Sequence, residues 1–143
     1  MGFSSNYPVP STVLYSNAFS DTILQNDSEQ STNATIYTKL KSIRLDRLDV
    51  LPGITQISVY FELKSAAGAH TAYAQIYNNG AAVGTERSDA GSGAYTAYTE
   101  NITAGEGATI QIYAKNSNGL NVAYVKNLRI LGRYVQAYTN SNP

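Results

Sequence analysis

Cysteine and tryptophan are both absent from this 143-residue chain, which has one histidine, one methionine and four prolines. Without cysteine there are no disulfides, no thiol nucleophiles and no thiolate metal ligands. The lack fixes no compartment, because a chain of this length can bury an adequate core without staples. A lone histidine leaves little for general-base catalysis, which needs an oriented nucleophile and a supporting carboxylate. Charge is sparse as well: ten basic and ten acidic residues give a formal net charge of zero. That balance offers no basic face for phosphate-driven nucleic-acid binding and no polybasic contact for an anionic membrane. No apolar run approaches a membrane span. Met1 to Pro10 shows neither a basic start nor an apolar stretch, so no signal peptide is expected. No cofactor and no metal is called for.

What the chain does have is tyrosine, twelve in all, set along short stretches of alternating polarity. Ile57, Val59, Phe61 and Leu63 alternate with Gln56, Ser58, Tyr60 and Glu62, the period of a half-buried strand. Thr71 to Tyr77 and Ala81 to Thr85 flank Asn78-Asn79-Gly80, residues that tolerate positive φ and mark a hairpin. Further strands are expected at Thr12 to Tyr15, Ala18 to Leu24, Ala94 to Ile102, Thr109 to Lys115 and Val122 to Leu131, with a polar loop over Gln25 to Asn33. Between Ala34 and Leu51 the apolar residues change face, which implies a bulge, a twist or two strands in sequence. A helix over Lys39 to Val50 is the rival there, opposed by the Thr/Ile/Tyr-rich stretch before it and the Pro52-Gly53 turn after it. About eight strands at spacings of about 8–12 residues make an all-β, single-domain antiparallel sandwich, jelly-roll-like. The domain is expected over residues 12–132, with an extended N-terminal arm over 1–11 and a C-terminal tail over 133–143.

Candidate chemistry is thin. His70 reads as an exposed loop residue. Asp46 and Asp49 are three apart and so face opposite ways on a strand, where pairing with Arg44 or Arg47 suits them better than acid–base work. Asn26-Asp27-Ser28-Glu29 has the oxygens a calcium loop needs but no EF-hand spacing, and a solvated loop is the plainer expectation. Lys39 and Lys41 are expected on one strand face. The tyrosines carry more weight. Tyr73, Gln75 and Tyr77 share a face opposite Ala72, Ala74 and Ile76, and Tyr113 lies opposite Ile110, Ile112 and Ala114. Tyr73, Gln75, Tyr77 and Tyr113 thus form a candidate contact surface, of the kind used in protein interfaces and equally able to stack on sugar rings. Tyr7, Pro8, Pro10 and Tyr15 mark an assembly arm that could add a strand to a neighbouring subunit, and Tyr134 and Tyr138 mark tail anchors.

Tyr73-Ala-Gln-Ile-Tyr77-Asn-Asn-Gly80-Ala-Ala-Val-Gly84-Thr-Glu, then Tyr95 to Ile102, Thr109-Ile-Gln-Ile-Tyr113-Ala-Lys and Tyr124-Val-Lys-Asn-Leu-Arg-Ile130 resemble the jelly-roll decoration, or capsid-cement, proteins of tailed phages and related viral surface modules. The resemblance spans roughly residues 15–132. It implies a non-enzymatic virion subunit that self-assembles as a homo-oligomer, a trimer or a filament, and docks on a capsid protein through its terminal arms. Two alternatives stand beside it: an extracellular fibre or sheath subunit joined by strand exchange, and a carbohydrate-binding sandwich with a glycan as its partner.

Overall fold

The computed structural model describes residues 15–16, 21–45, 56–105, 107–132 and 135–136. They form an all-β, jelly-roll-like sandwich of two five-stranded antiparallel sheets and one two-stranded ladder. The strands are β1 (Tyr15–Ser16), β2 (Asp21–Asn26), β3 (Gln30–Thr32), β4 (Thr38–Arg44), β5 (Gln56–Ser65), β6 (Ala72–Asn78), β7 (Ala81–Ala82), β8 (Arg87–Asp89), β9 (Thr96–Thr103), β10 (Thr109–Asn116), β11 (Ala123–Gly132) and β12 (Val135–Gln136). In the first sheet the order is β4-β10-β6-β7, with β8 also paired to β6. In the second it is β2-β11-β5-β9, with β3 also paired to β11. From β4 to β5 to β6, and again from β9 to β10 to β11, the chain changes sheet at each step, so contacts distant in sequence close the core between the layers.

Period-2 alternation sets which side chains that core receives. Ile57, Val59, Phe61 and Leu63 of β5 are at most 1% exposed, and so are Ala72, Ala74 and Ile76 of β6 and Ile110, Ile112 and Ala114 of β10. Val125, Leu128 and Ile130 of β11 complete the layer. Each large aliphatic or aromatic side chain buried in this way contributes roughly 1.5–3 kcal/mol. The expected hairpin is the β6–β7 turn. Tyr77 pairs with Ala82 and Asn78 with Ala81, and Asn79 (φ 50°) and Gly80 (φ 83°) are both left-handed, the backbone of a primed two-residue turn.

Several expectations are corrected. The Gln25–Asn33 loop contains β3, a short polar strand that pairs with the edge of β11. Together with the short β7 and β8 it raises the strand number above eight. Lys39 to Arg44 is strand and not helix, while residues 46–50, with Asp46, Arg47 and Asp49, lie outside the described residues. Lys39 and Lys41 do not share a face, because a bulge in the β4–β10 ladder puts Lys39 opposite Tyr113 and Lys41 opposite Ile112. Lys41 therefore turns inward and is only 3% exposed. Its ammonium meets Asn26 Oδ1 at 2.9 Å and Ser28 Oγ at 3.1 Å, and it donates to the Ser28 carbonyl. The oxygens considered for calcium are thus occupied by a cation from the chain itself, while Asp27 turns to Arg129 at 3.0 Å. Burial lowers the Lys41 pKa from its ordinary value, and Asp27 partly opposes that shift. His70 is buried rather than exposed, tucked against the Gly68 backbone to which its own N–H donates.

Candidate functional site

The outer face of the first sheet follows from the parity that fills the core. With Ala72, Ala74 and Ile76 inward, Tyr73, Gln75 and Tyr77 project outward. With Ile110, Ile112 and Ala114 inward, Gln111, Tyr113 and Lys115 do the same. The register sets Tyr77 opposite Gln111, Gln75 opposite Tyr113 and Tyr73 opposite Lys115. Tyr77 and Tyr113 are therefore diagonal neighbours, and their rings stack with centroids 3.9 Å apart and planes inclined by 16°. Diagonal positions on a sheet are within reach of aromatic side chains.

Tyr37, just before β4, completes the cluster. Its ring centroid is 6.1 Å from that of Tyr77, and its hydroxyl donates to Glu86, which follows β7 on the far side of the sheet. The side chain therefore crosses the face as a strap. Burial, the hydrogen bond to Glu86 and the Glu86 charge together push the Tyr37 hydroxyl well above the ordinary tyrosine range. Lys115 lies between two rings, its Nζ 4.6 Å from the Tyr37 centroid and 5.3 Å from that of Tyr73, a cation–π arrangement.

The two glutamines anchor the turn. Gln75 Nε2 donates to the Gly84 carbonyl at 2.7 Å, and Gln111 Oε1 accepts from the Gly80 N–H at 2.8 Å. Asn79 Oδ1 accepts from the Thr109 N–H at 2.9 Å. These bonds hold the β6–β7 turn against β10 and tie Gln75 to the segment after β7.

Tyr73, Gln75, Tyr77 and Tyr113 are thus brought together on one face. Tyr15 lies in β1, whose partner is β12, while Tyr7, Pro8, Pro10, Tyr134 and Tyr138 lie outside the described residues. Sequence parity missed Tyr37, because a residue just ahead of a strand belongs to no alternating pattern. It also missed a second group, Tyr60, Tyr95 and Tyr124, on the outer face of the other sheet. Tyr60 and Tyr124 each alternate with buried residues, but which strands are neighbours is a property of the fold. Among the described residues, Glu62, Glu86 and Glu100 are engaged separately and not with one another. Glu100 accepts from Thr85 and pairs with Arg87, Glu86 is held by Tyr37, and Glu62 accepts from Tyr60 and Asn127. Among the described residues no cluster of three or more potential metal ligands occurs.

No protein-family model matches the chain, and no curated protein matches it. Among solved structures it is similar to the EclA C-terminal domain, described as a sugar-binding protein, at 9% identity and a TM-score of 0.50 over 78% of this chain and 79% of that one. It is also similar to the CBM22-1 xylan-binding domain of Paenibacillus barcinonensis Xyn10C, at 12% identity and a TM-score of 0.44 over 92% and 98% of the two chains. A third is the C-terminal CBM6 of LamC from Zobellia galactanivorans, at 17% identity and a TM-score of 0.45 over 86% and 96%. At these identities the likeness is one of fold.

Proposed function

We propose that this chain is a non-catalytic carbohydrate-binding module whose ligand lies on the outer face of the first sheet, against Tyr73, Tyr77 and Tyr113. The observation that carries the reading is the stacked Tyr77–Tyr113 pair, held on a rigid sheet with Tyr37 and Lys115 beside it. A half-buried aromatic plane gives the apolar face of a pyranose a surface to lie on, and the tyrosine hydroxyls and the Lys115 ammonium give its hydroxyls partners. The sugar-binding description of the EclA domain, with which this chain shares its fold, agrees with that choice. The test is affinity electrophoresis against a panel of soluble polysaccharides, followed by calorimetry on the best ligand. Tyr77→Ala and Tyr113→Ala are each expected to weaken binding about tenfold, which corresponds to about 1.4 kcal/mol. Retention of full affinity by both variants would exclude this face.

An assembly subunit, on a virion or in an extracellular fibre, is the second reading. It is favoured by Ile36 and Leu120, 75% and 91% exposed, on the loops before β4 and β11. Those loops are neighbours, because Gly119 lies against Asn33 and Thr35. Under this reading the arm residues Tyr7, Pro8, Pro10 and Tyr15 and the tail residues Tyr134 and Tyr138 would contact another copy or a capsid protein. Sedimentation and electron microscopy of the full chain, with and without residues 1–11, separate the two. A monomer that binds glycan supports the first reading, and an oligomer lost with the arm supports the second.

A further inference from the structure

The outer face of the second sheet repeats the design of the first with two lysines against its ring. Its alternation places Tyr60, Glu62 and Lys64 of β5 beside Tyr124 and Lys126 of β11, with Lys64 opposite Tyr124 and Glu62 opposite Lys126. Tyr95, just before β9, crosses this face as Tyr37 crosses the other. Its hydroxyl donates to Glu29, in the segment between β2 and β3 on the opposite side of the sheet.

Two ammonium groups meet that strap. Lys64 Nζ lies 4.7 Å and Lys126 Nζ 4.2 Å from the Tyr95 ring centroid, and Lys64 Nζ is also 4.5 Å from the Tyr124 centroid. The described carboxylates nearby each have another partner. Glu62 accepts from the Tyr60 hydroxyl at 2.9 Å and from Asn127 Nδ2 at 2.5 Å. Glu29 is held by Tyr95, and Asp27 accepts from Arg129 Nε and Nη2 at 3.0 and 3.3 Å. Among the described residues no carboxylate lies within 4.0 Å of Lys64 Nζ or Lys126 Nζ. Hydroxyl and amide donors hold Glu62 and Glu29 without cancelling their charge, and the two ammoniums converge on one ring with no described carboxylate in contact with either. Like charges so placed repel, and a bound anion removes the repulsion.

We propose that Lys64 and Lys126, with the rings of Tyr95 and Tyr124, form a second binding site, selective for a sugar that carries a carboxylate or a sulfate ester. The two lysines are diagonal neighbours across the β5–β11 ladder, about 7–8 Å apart at the backbone. A single carboxylate or sulfate can accept from both ammoniums through charge-assisted bonds of about 2.7–2.9 Å. Tyr95 and Tyr124 give the sugar ring its apolar contact. With a site on each outer face the module is bivalent, able to bridge two polysaccharide chains. The choice of a sugar over another anion rests on the reading of the first face; the anion preference rests on the lysines alone.

The experiment is calorimetry of the full chain with three oligosaccharides of equal length: a uronic-acid oligomer, a sulfated one and a neutral one. The expected result is binding of at least one acidic oligomer that weakens with added salt and falls tenfold or more in a Lys64→Met/Lys126→Met variant. Tyr77→Ala should leave this binding unchanged. Equal affinity for neutral and acidic oligomers, or acidic binding untouched by the double variant, overturns the second site. Loss of neutral-glycan binding in Tyr77→Ala while the acidic site fails leaves the first face standing. Acidic binding lost in the double variant without any effect of Tyr77→Ala or Tyr113→Ala on any glycan supports the second site and removes the first. Circular dichroism of the double variant checks that the fold is retained.

Discussion

Lys41 is the place where the balance between burying a charge and bonding it can be measured. Its ammonium is almost wholly removed from water and meets oxygens of Asn26 and Ser28. Taking an ammonium out of water costs several kcal/mol, and each bond made to a charged group returns about 1.5–3 kcal/mol. The lowered pKa of Lys41 shows that for the charge itself burial weighs slightly more than these contacts. In Lys41→Met the alkyl stem still packs, the desolvation cost disappears, and Asn26 Oδ1 keeps its bond from Ser28 Oγ at 3.1 Å. The Ser28 carbonyl loses its donor on an exposed residue that water can reach. Lys41→Met is therefore expected to leave stability at neutral pH unchanged or to raise it by about 1 kcal/mol. With a urea slope of about 2 kcal/mol/M, that moves the unfolding midpoint up by at most about 0.5 M. The pH dependence supplies a second signature. Because the folded-state pKa of Lys41 is lowered, the unfolded chain binds more protons as pH approaches the ordinary lysine value. Wild-type stability relative to the variant should therefore rise with pH in the window just below about 10.4. A midpoint well below that of the wild type at neutral pH would refute the argument, because the three contacts would then outweigh the burial cost.

Two further predictions concern packing and titration. A Cβ on Gly84 would sit 2.9 Å from Ile76 Cβ and 3.0 Å from Glu100 Oε2, so Gly84→Ala should destabilise by about 1–3 kcal/mol. It should also loosen the bonds from the Thr85 N–H to Glu100, both 3.0 Å long; an unchanged melting temperature would show that the loop simply shifts. Tyr37, Tyr95 and Tyr60 all have raised pKa values, chiefly through burial and then through hydrogen bonds to Glu86, Glu29 and Glu62. Above about pH 10 the unfolded chain loses protons that the native state keeps, so stability should fall as pH rises past that point. Tyrosinate absorbance should accordingly show a group of tyrosines that ionise only together with loss of the circular-dichroism signal, and smooth ionisation of every tyrosine in the folded state would contradict this.

The parts of the fold legible in the sequence were those where one residue's environment depends on its immediate neighbours. The β5 alternation, the Asn79-Gly80 turn and the outward parity of Tyr73, Tyr77 and Tyr113 are local facts, and each appears in the structure as expected. Features that depend on a partner strand were not legible. The β3 segment is polar because one side of it is solvent and the edge of β11 supplies its pairing. Lys41 points inward because of a bulge against β10, which no count along β4 alone reveals. His70 is covered in part by Gly68, where a Cβ would come within 3.0 Å of the imidazole Cε1. The straps made by Tyr37 and Tyr95 need both sides of a sheet to be known, since each ring starts at one edge and ends on a glutamate at the other.

The ladder joining β2 to β11 has a mechanical consequence. Asp21 pairs with Gly132 and, further in, Asn26 pairs with Leu128. Beyond it Ser16 pairs with Val135 and Tyr15 with Gln136. Tyr15 and Gln136 therefore sit side by side as one antiparallel pair. Tension between them loads one rung at a time, from Tyr15 and Gln136 inward, like opening a zip. It never shears the rungs in parallel. Pulled apart at Tyr15 and Gln136, the described ladders would give way at low force, with these outermost pairs first; held through the face of a sheet, the domain would keep its ladders unloaded.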